Sequence, residues 1–164
     1  MKKISFHFQA DELPVSELTA QDRALAVAAD AMTTRAYAPY SRFLVGAAVR
    51  LADGTIVHGS NQENVAYPSG LCAERVALFS AGANHPGVEV DTIAIVARTE
   101  RFDITEPLTP CGGCRQVICE YAHRQQRPIR LILVGADRAM IIEDANQLLP
   151  FAFNADGLKA GPVR

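Results

Sequence analysis

The stretch "DTIAIVAR" at residues 91–98, with "CGGCRQVICEYAHR" at 111–124 and "IRLILVG" at 129–135, sets the class of fold. The outer two segments are runs of Ile, Leu, Val and Ala with little polar interruption, and the middle one reads as a helix. A strand that is apolar on both sides belongs to a sheet covered on both faces. Strand, helix and strand in succession therefore indicate an α/β domain.

Working outward, "FLVGAAVRLADGTIVHGSN" (43–61) holds two β-prone runs around Asp53-Gly54, a dipeptide suited to a hairpin turn. Before it, "TAQDRALAVAADAMTTRAY" (19–37) opens with Thr19 and Asp22 spaced as a capping box, predicting a helix that ends before Pro39. The segment "KISFHF" (3–8) alternates and is read as a short edge strand or an arm. "NQENVAYPS" (61–69) and "TERFDITEPLTP" (99–110) read as loops, and the tail "NQLLPFAFNADGL" (146–158) as irregular with two exposed phenylalanines. The expectation is a mixed sheet with helices between its strands, organised as an N-terminal arm over 1–15 and one domain over 16–164.

Bulk properties narrow the function. With 49% hydrophobic and 21% charged residues, the 164-residue chain can build a real core. Sixteen basic residues stand against 18 acidic ones, for a net charge of −2, which offers no broad attraction to a phosphate backbone. No apolar run is long enough for a bilayer, and "MKKISFHFQADELP" lacks the apolar centre of a signal peptide, so a cytoplasmic protein is expected. In that compartment the four cysteines, at 72, 111, 114 and 119, suggest metal or thiol chemistry before disulfides.

"PCGGC" (110–114) puts Cys111 and Cys114 on one face of a helix's first turn. "SGLCAERVAL" (69–78) starts another helix with Cys72, and Glu74 stands two residues on. Helix N-termini favour thiolates. Three thiolates meeting there would hold zinc with one vertex left for water, the arrangement of a catalytic site. Glu74 beside that water would serve as general acid and base. Arg75 and Arg115, each next to a ligand, are candidate donors to the sulfurs. A redox C-x-x-C pair is the rival reading of Cys111 and Cys114 taken alone. A closed structural zinc site needs a fourth ligand, and Cys119, facing away from Cys114, reads as a core residue. His7, His58, His85 and His123 are scattered and read as surface or turn residues, and Gln116 as structural.

C-x-E followed by P-C-x-x-C resembles the signature of the zinc nucleoside and nucleobase deaminases. "PYSRFLVGAAV", "NQENVAYPSGLCAER" and "PCGGCRQ" extend the resemblance to the short-chain cytidine deaminases, over roughly residues 20 to 155. It implies a three-layer α/β/α sandwich and a homotetramer whose subunits share active sites. It implies Cys72, Cys111 and Cys114 as ligands of one zinc per subunit, with Glu74 as proton shuttle and Arg75 donating to a ligand sulfur. Asn61 and Glu63 would bind the ribose, Phe43 would pack beside the nucleoside, and the Ala73 backbone would meet the pyrimidine edge. Tyr67 and Phe153 would reach a neighbouring subunit's site, Phe153 stacking on the base, with Phe151 two positions away as the other candidate.

The implied reaction is hydrolytic deamination of cytidine and 2′-deoxycytidine in pyrimidine salvage. Zinc-activated water attacks C4 while Glu74 protonates N3 and then the departing amino group. Other classes stay in view: a deaminase of single-stranded nucleic acid, which would need a basic groove with stacking aromatics; a blasticidin-type deaminase; and a non-catalytic zinc-stabilised interaction module.

Overall fold

In the computed structural model, which describes residues 1–159, six strands form one sheet in the order β1-β6-β5-β4-β2-β3. The elements run β1 (Asp11–Pro14), α1 (Ala20–Thr33), β2 (Leu44–Leu51), β3 (Ile56–Ser60), α2 (Ala73–Asn84) and β4 (Val90–Arg98). They continue with α3 (Gly112–Gln125), β5 (Arg130–Val134), β6 (Arg138–Ile142) and the short α4 (Asp156–Lys159). Only β4 and β5 pair in parallel, joined through α3; every other pairing is antiparallel. The sheet is mixed, as the alternation predicts. The expected end of the domain, residue 164, lies outside the described residues.

Two hydrophobic clusters lie on opposite faces of this sheet. Leu25, Ala26 and Ala29 of α1 pack on Ala48, Ala94, Val96, Ile132 and Ile141. Ala77, Leu78 and Ala81 of α2, with Ile118 and Ala122 of α3, pack on Val49, Ile93, Ile95, Leu131 and Leu133. Alternate residues of one strand thus feed different clusters, the strict period of a strand covered on both sides. Helix, sheet and helices make the three layers.

The local rules hold at the turns and caps. Thr19 caps α1, its Oγ1 accepting from Asp22 N at 3.1 Å. The Asp22 carboxylate does not return the bond; it receives Arg130 at 2.8 and 3.0 Å and anchors the start of α1 to the sheet. Between β2 and β3, Gly54 takes a φ of 88° and Asp53 Oδ1 accepts from Thr55 N at 2.9 Å. β3 then meets α2 closely: a Cβ at Gly59 would lie 2.4 Å from Ala73 O and 2.6 Å from Ala77 N. Only glycine lets the head of α2 approach that far.

The structure corrects some expectations and refines others. Residues 3–8 form no strand; the edge strand is Asp11–Pro14, paired with β6. Helix α1 ends at Thr33, before Pro39 as expected, and Tyr37 then bridges Gln62. Strand β6 goes beyond the sequence reading: it returns antiparallel to β5 across a turn in which Gly135 N donates to Arg138 O at 2.8 Å. The tail carries a short 3-10 turn, Ala145–Leu148, and α4, and Phe151 and Phe153 are exposed as expected.

Candidate active site

Helices α2 and α3 pack against each other and bring their N-termini together. Cys72 is the N-cap residue of α2 and Cys111 that of α3, both with extended backbone, and neither caps its helix through the side chain. Cys114 follows in the first turn of α3 and is fully buried. The three sulfurs lie within 4.8 Å of one another. Cys72 Sγ is 3.9 Å from Cys111 Sγ, and Cys111 Sγ is 3.5 Å from Cys114 Sγ.

These spacings test the expected metal. Zinc–thiolate bonds of about 2.3 Å in a tetrahedron separate the sulfurs by about 3.8 Å, close to the 3.5 and 3.9 Å found, so the trio fits zinc. The donor chemistry agrees. The hydrogen bond from Cys114 holds the Cys72 thiol well down, to about 5, against the opposing effect of burial, with Arg75 and Cys111 adding to the shift. Sharing that hydrogen bond, and burial, push the Cys114 thiol up. Arg75 Nη2 reaches Cys72 Sγ at 3.6 Å, as the resemblance implies, and its buried Nε has no partner among the described residues. Arg115 does not reach a sulfur. Its guanidinium donates to Pro110 O, Leu148 O and Thr109 Oγ1 at 2.8, 3.2 and 2.9 Å, tying down the loop before α3. Cys119 is buried in the core, clear of the trio.

A cavity of about 870 Å³ opens onto this cluster and is lined by Cys72, Glu74, Arg75 and Cys111 at one end and Phe43, Asn61, Glu63 and Tyr67 at the other. Glu74 is 5% exposed. Burial foremost, and then the charge on Cys72, raise its carboxyl above the ordinary value, against local hydrogen bonding and Arg75. A buried acid facing a cavity beside thiolates is placed to take up and release a proton.

The far wall is built from β2, β3 and the turn before β2. Asn61, the residue after β3, is committed at both ends: its Oδ1 accepts from Val45 N and its Nδ2 donates to Phe43 O, both at 2.8 Å. It therefore sets the backbone on either side of Leu44. Glu63 uses one carboxylate oxygen, Oε2, to accept from Tyr40 N at 2.9 Å and Ser41 N at 3.3 Å. Desolvation opposes ionisation there, but hydrogen bonds from Ser41 and Tyr40, with Arg101 nearby, outweigh it and hold the carboxyl below its usual value. Tyr40 and Ser41, and Leu108 of the loop before α3, line the cavity too. Their only sequence signal is membership of the quoted "PYSRF" and "TEPLTP" stretches.

Two expected residues sit apart from the others. Ala73 is buried, its carbonyl against β3, and is not part of the cavity lining. Phe153, 71% exposed, lies outside the cavity beside Phe79 and Val117 on the outer side of α3. Gln116 holds it there, exchanging two hydrogen bonds with the Phe153 backbone at 2.8 and 2.9 Å.

The family described as "Cytidine and deoxycytidylate deaminase zinc-binding region" matches residues 19–127, and the chain belongs to it. The cytidine deaminase of Sporosarcina psychrophila is 44% identical over 127 residues, covering 76% of this chain and 85% of that protein. That of Halalkalibacterium halodurans is 41% identical, covering 75% and 86%. Among solved structures, cytidine deaminase from Burkholderia pseudomallei superposes with a TM-score of 0.69 at 42% identity, over 83% of this chain and all (100%) of that one. The Mycobacterium tuberculosis cytidine deaminase gives 0.66 at 31% identity, over 84% and 100%. This chain is, like them, a deaminase of the hydrolase class.

Proposed function

We propose that the protein hydrolyses cytidine and 2′-deoxycytidine to uridine and 2′-deoxyuridine with release of ammonia, in pyrimidine salvage. The observation carrying this reading is the buried Glu74 carboxyl beside three converging sulfurs on the floor of a nucleoside-sized cavity. Cys72, Cys111 and Cys114 hold one zinc per subunit, which when bound supplies Lewis-acid activation of water.

The chain's own residues do the rest. Phe43 packs against the nucleoside, and the Ala73 backbone meets the pyrimidine edge. The Glu63 oxygen not used by Tyr40 and Ser41 accepts from a ribose hydroxyl, with the remaining N–H of Asn61 beside it. Glu74 protonates N3 as water adds to C4. It then takes one proton from that water and delivers it to the exocyclic nitrogen; as the C4–N bond breaks and ammonia leaves, the second water proton passes from the C4 oxygen to Glu74, giving the C4 carbonyl and restoring the acid. A raised carboxyl is suited to this, because it gives up and regains a proton nearer neutrality than a solvated one.

The proposed working form is a homotetramer of domains 16–164, each preceded by an arm over 1–15. Tyr67 and Phe153, 76% and 71% exposed, would reach neighbouring cavities. Three unpaired thiols at the site suit a reducing cytoplasm. Among the described residues, no helix is long and apolar enough to cross a membrane.

The test follows the fall in cytidine absorbance for the wild type and Glu74→Gln. The wild type should turn over, and the variant should keep its metal while losing at least about a hundredfold in kcat. A wild type inert towards cytidine, or a fully active variant, sinks the reading. A monomer in size-exclusion chromatography with light scattering would remove the tetramer and the cross-subunit roles.

A further inference from the structure

We propose that Arg101 and Phe102 are positioning residues: a strap from the β4–α3 loop that holds the aromatic wall of the cavity and so sets its affinity for the nucleoside. This rests on the nucleoside reading above. Neither residue lines the cavity. Both act on the turn that does.

The Phe102 ring stacks on Phe43, centroids 6.1 Å apart and planes 19° apart. The Arg101 guanidinium donates to Tyr40 O at 3.4 Å, and its charge is among those favouring the Glu63 carboxylate. The strap is itself folded back, Arg101 N donating to Thr99 Oγ1 at 3.2 Å. Farther along the same loop, Leu108 lines the cavity and Thr109 is tied to Arg115 of α3. One loop therefore touches both walls, the thiolate helix at one end and the Tyr40–Phe43 turn at the other.

That turn needs support. Arg42 has a φ of 55°, a left-handed conformation unfavourable for a residue with a Cβ, and such strain persists only where its surroundings over-determine it. The backbone is well tied: Arg42 N to Ala38 O at 2.9 Å, Phe43 N to Ser41 Oγ at 3.0 Å, and Phe43 O to Asn61. None of these bonds touches the Phe43 ring. Its outer aromatic neighbour is Phe102, which is 58% exposed. Stacking there limits the ring's rotation and keeps its inner face towards the ligand.

The test uses full-length, metal-loaded protein. Phe102→Ala should raise the KM for cytidine about fivefold, with kcat within about twofold of the wild type, and weaken uridine binding in calorimetry by the same factor. Phe102→Tyr, which keeps the ring, should restore both. Arg101→Ala should raise KM about threefold. In nucleoside-free protein, amide exchange over residues 40–45 should quicken in Phe102→Ala. Unchanged exchange and unchanged KM overturn the strap, as does a fall in kcat and melting temperature with KM unmoved. A wild type inert towards cytidine overturns the nucleoside reading instead and leaves amide exchange to judge the strap.

Discussion

The sulfur of Cys72 lies 3.9 Å from that of Cys111, although the two are 39 positions apart in the chain. Everything between them, the rest of α2, β4 and the following loop, serves to return the chain to the same point. Three thiolates at that spacing would repel one another, so a cation bound among them would hold the trio together in its deprotonated form.

Removing the metal should therefore cost stability as well as turnover. With zinc at about a hundredfold excess over its dissociation constant, the linkage is worth about 2.7 kcal/mol. For a chain of this size that is a fall of about 5–10 °C in Tm on chelation. Arg75→Met, which takes the donor from Cys72, should weaken zinc affinity about 10- to 100-fold in competition with a chromophoric chelator. Equal affinity in wild type and variant would mean that the 3.6 Å contact is incidental.

Asn61→Ala leaves the N–H of Val45 and the carbonyl of Phe43 without partners at a position 9% exposed. Two unsatisfied backbone groups cost about 2–4 kcal/mol in urea unfolding. Because those groups flank the Phe43 turn, KM should rise in the same variant. A fully stable Asn61→Ala would show that water replaces the amide.

Asp22 accepts Arg130 at 2.8 Å and lies 3.9 Å from Arg50, whose Nη1 has no hydrogen-bond partner among the described residues. With the Asp22 side chain 8% exposed, removing it takes one carboxylate from each arginine and leaves Arg130 with Glu143 and Arg50 with Asp91. Asp22→Ala should lose about 1.5–3 kcal/mol, the cost of the charged hydrogen bonds to Arg130. Turnover of the surviving folded fraction should be normal, because this network is outside the cavity.

Glu63 provides the pH dependence. Its carboxyl is held below the ordinary 4.5 despite desolvation, by hydrogen bonds from Ser41 and Tyr40. The folded state then binds this proton more weakly than the unfolded chain. The resulting stability is complete above 4.5 and disappears as pH falls through the lowered value. Melting curves of wild type and Glu63→Gln should run parallel at neutral pH and converge only in acid. A gap that opens or closes near pH 7 would contradict the assignment.

The middle of the chain was readable because its physics is local. A doubly covered strand needs the unbroken run at Ile93–Val96, and a hairpin needs Asp53-Gly54. The placement of Cys72 and Cys111 at two helix starts was readable because helix starts are a short-range pattern. What was not readable depends on partners distant in sequence. "KISFHF" has a strand's alternation, yet the exposed sheet edge takes "DELP", whose acids and proline suit an edge that must not recruit another chain. Arg115 sits next to a ligand in sequence but turns to Thr109, Pro110 and Leu148, and only the loop's path shows why. Phe102 gave no signal, since stacking across 59 positions leaves no periodic trace.

The missing side chain at Gly59 has a reach beyond its own strand. Its clearance from Ala73 sets how deeply the head of α2 can seat, and thereby where the neighbouring Cys72 sulfur stands relative to its two counterparts. With the proposed ligands, metal affinity would thus be partly a property of a hairpin that contributes none of them, and a single methyl group at position 59 would act as a wedge prising the sulfur triangle open from behind.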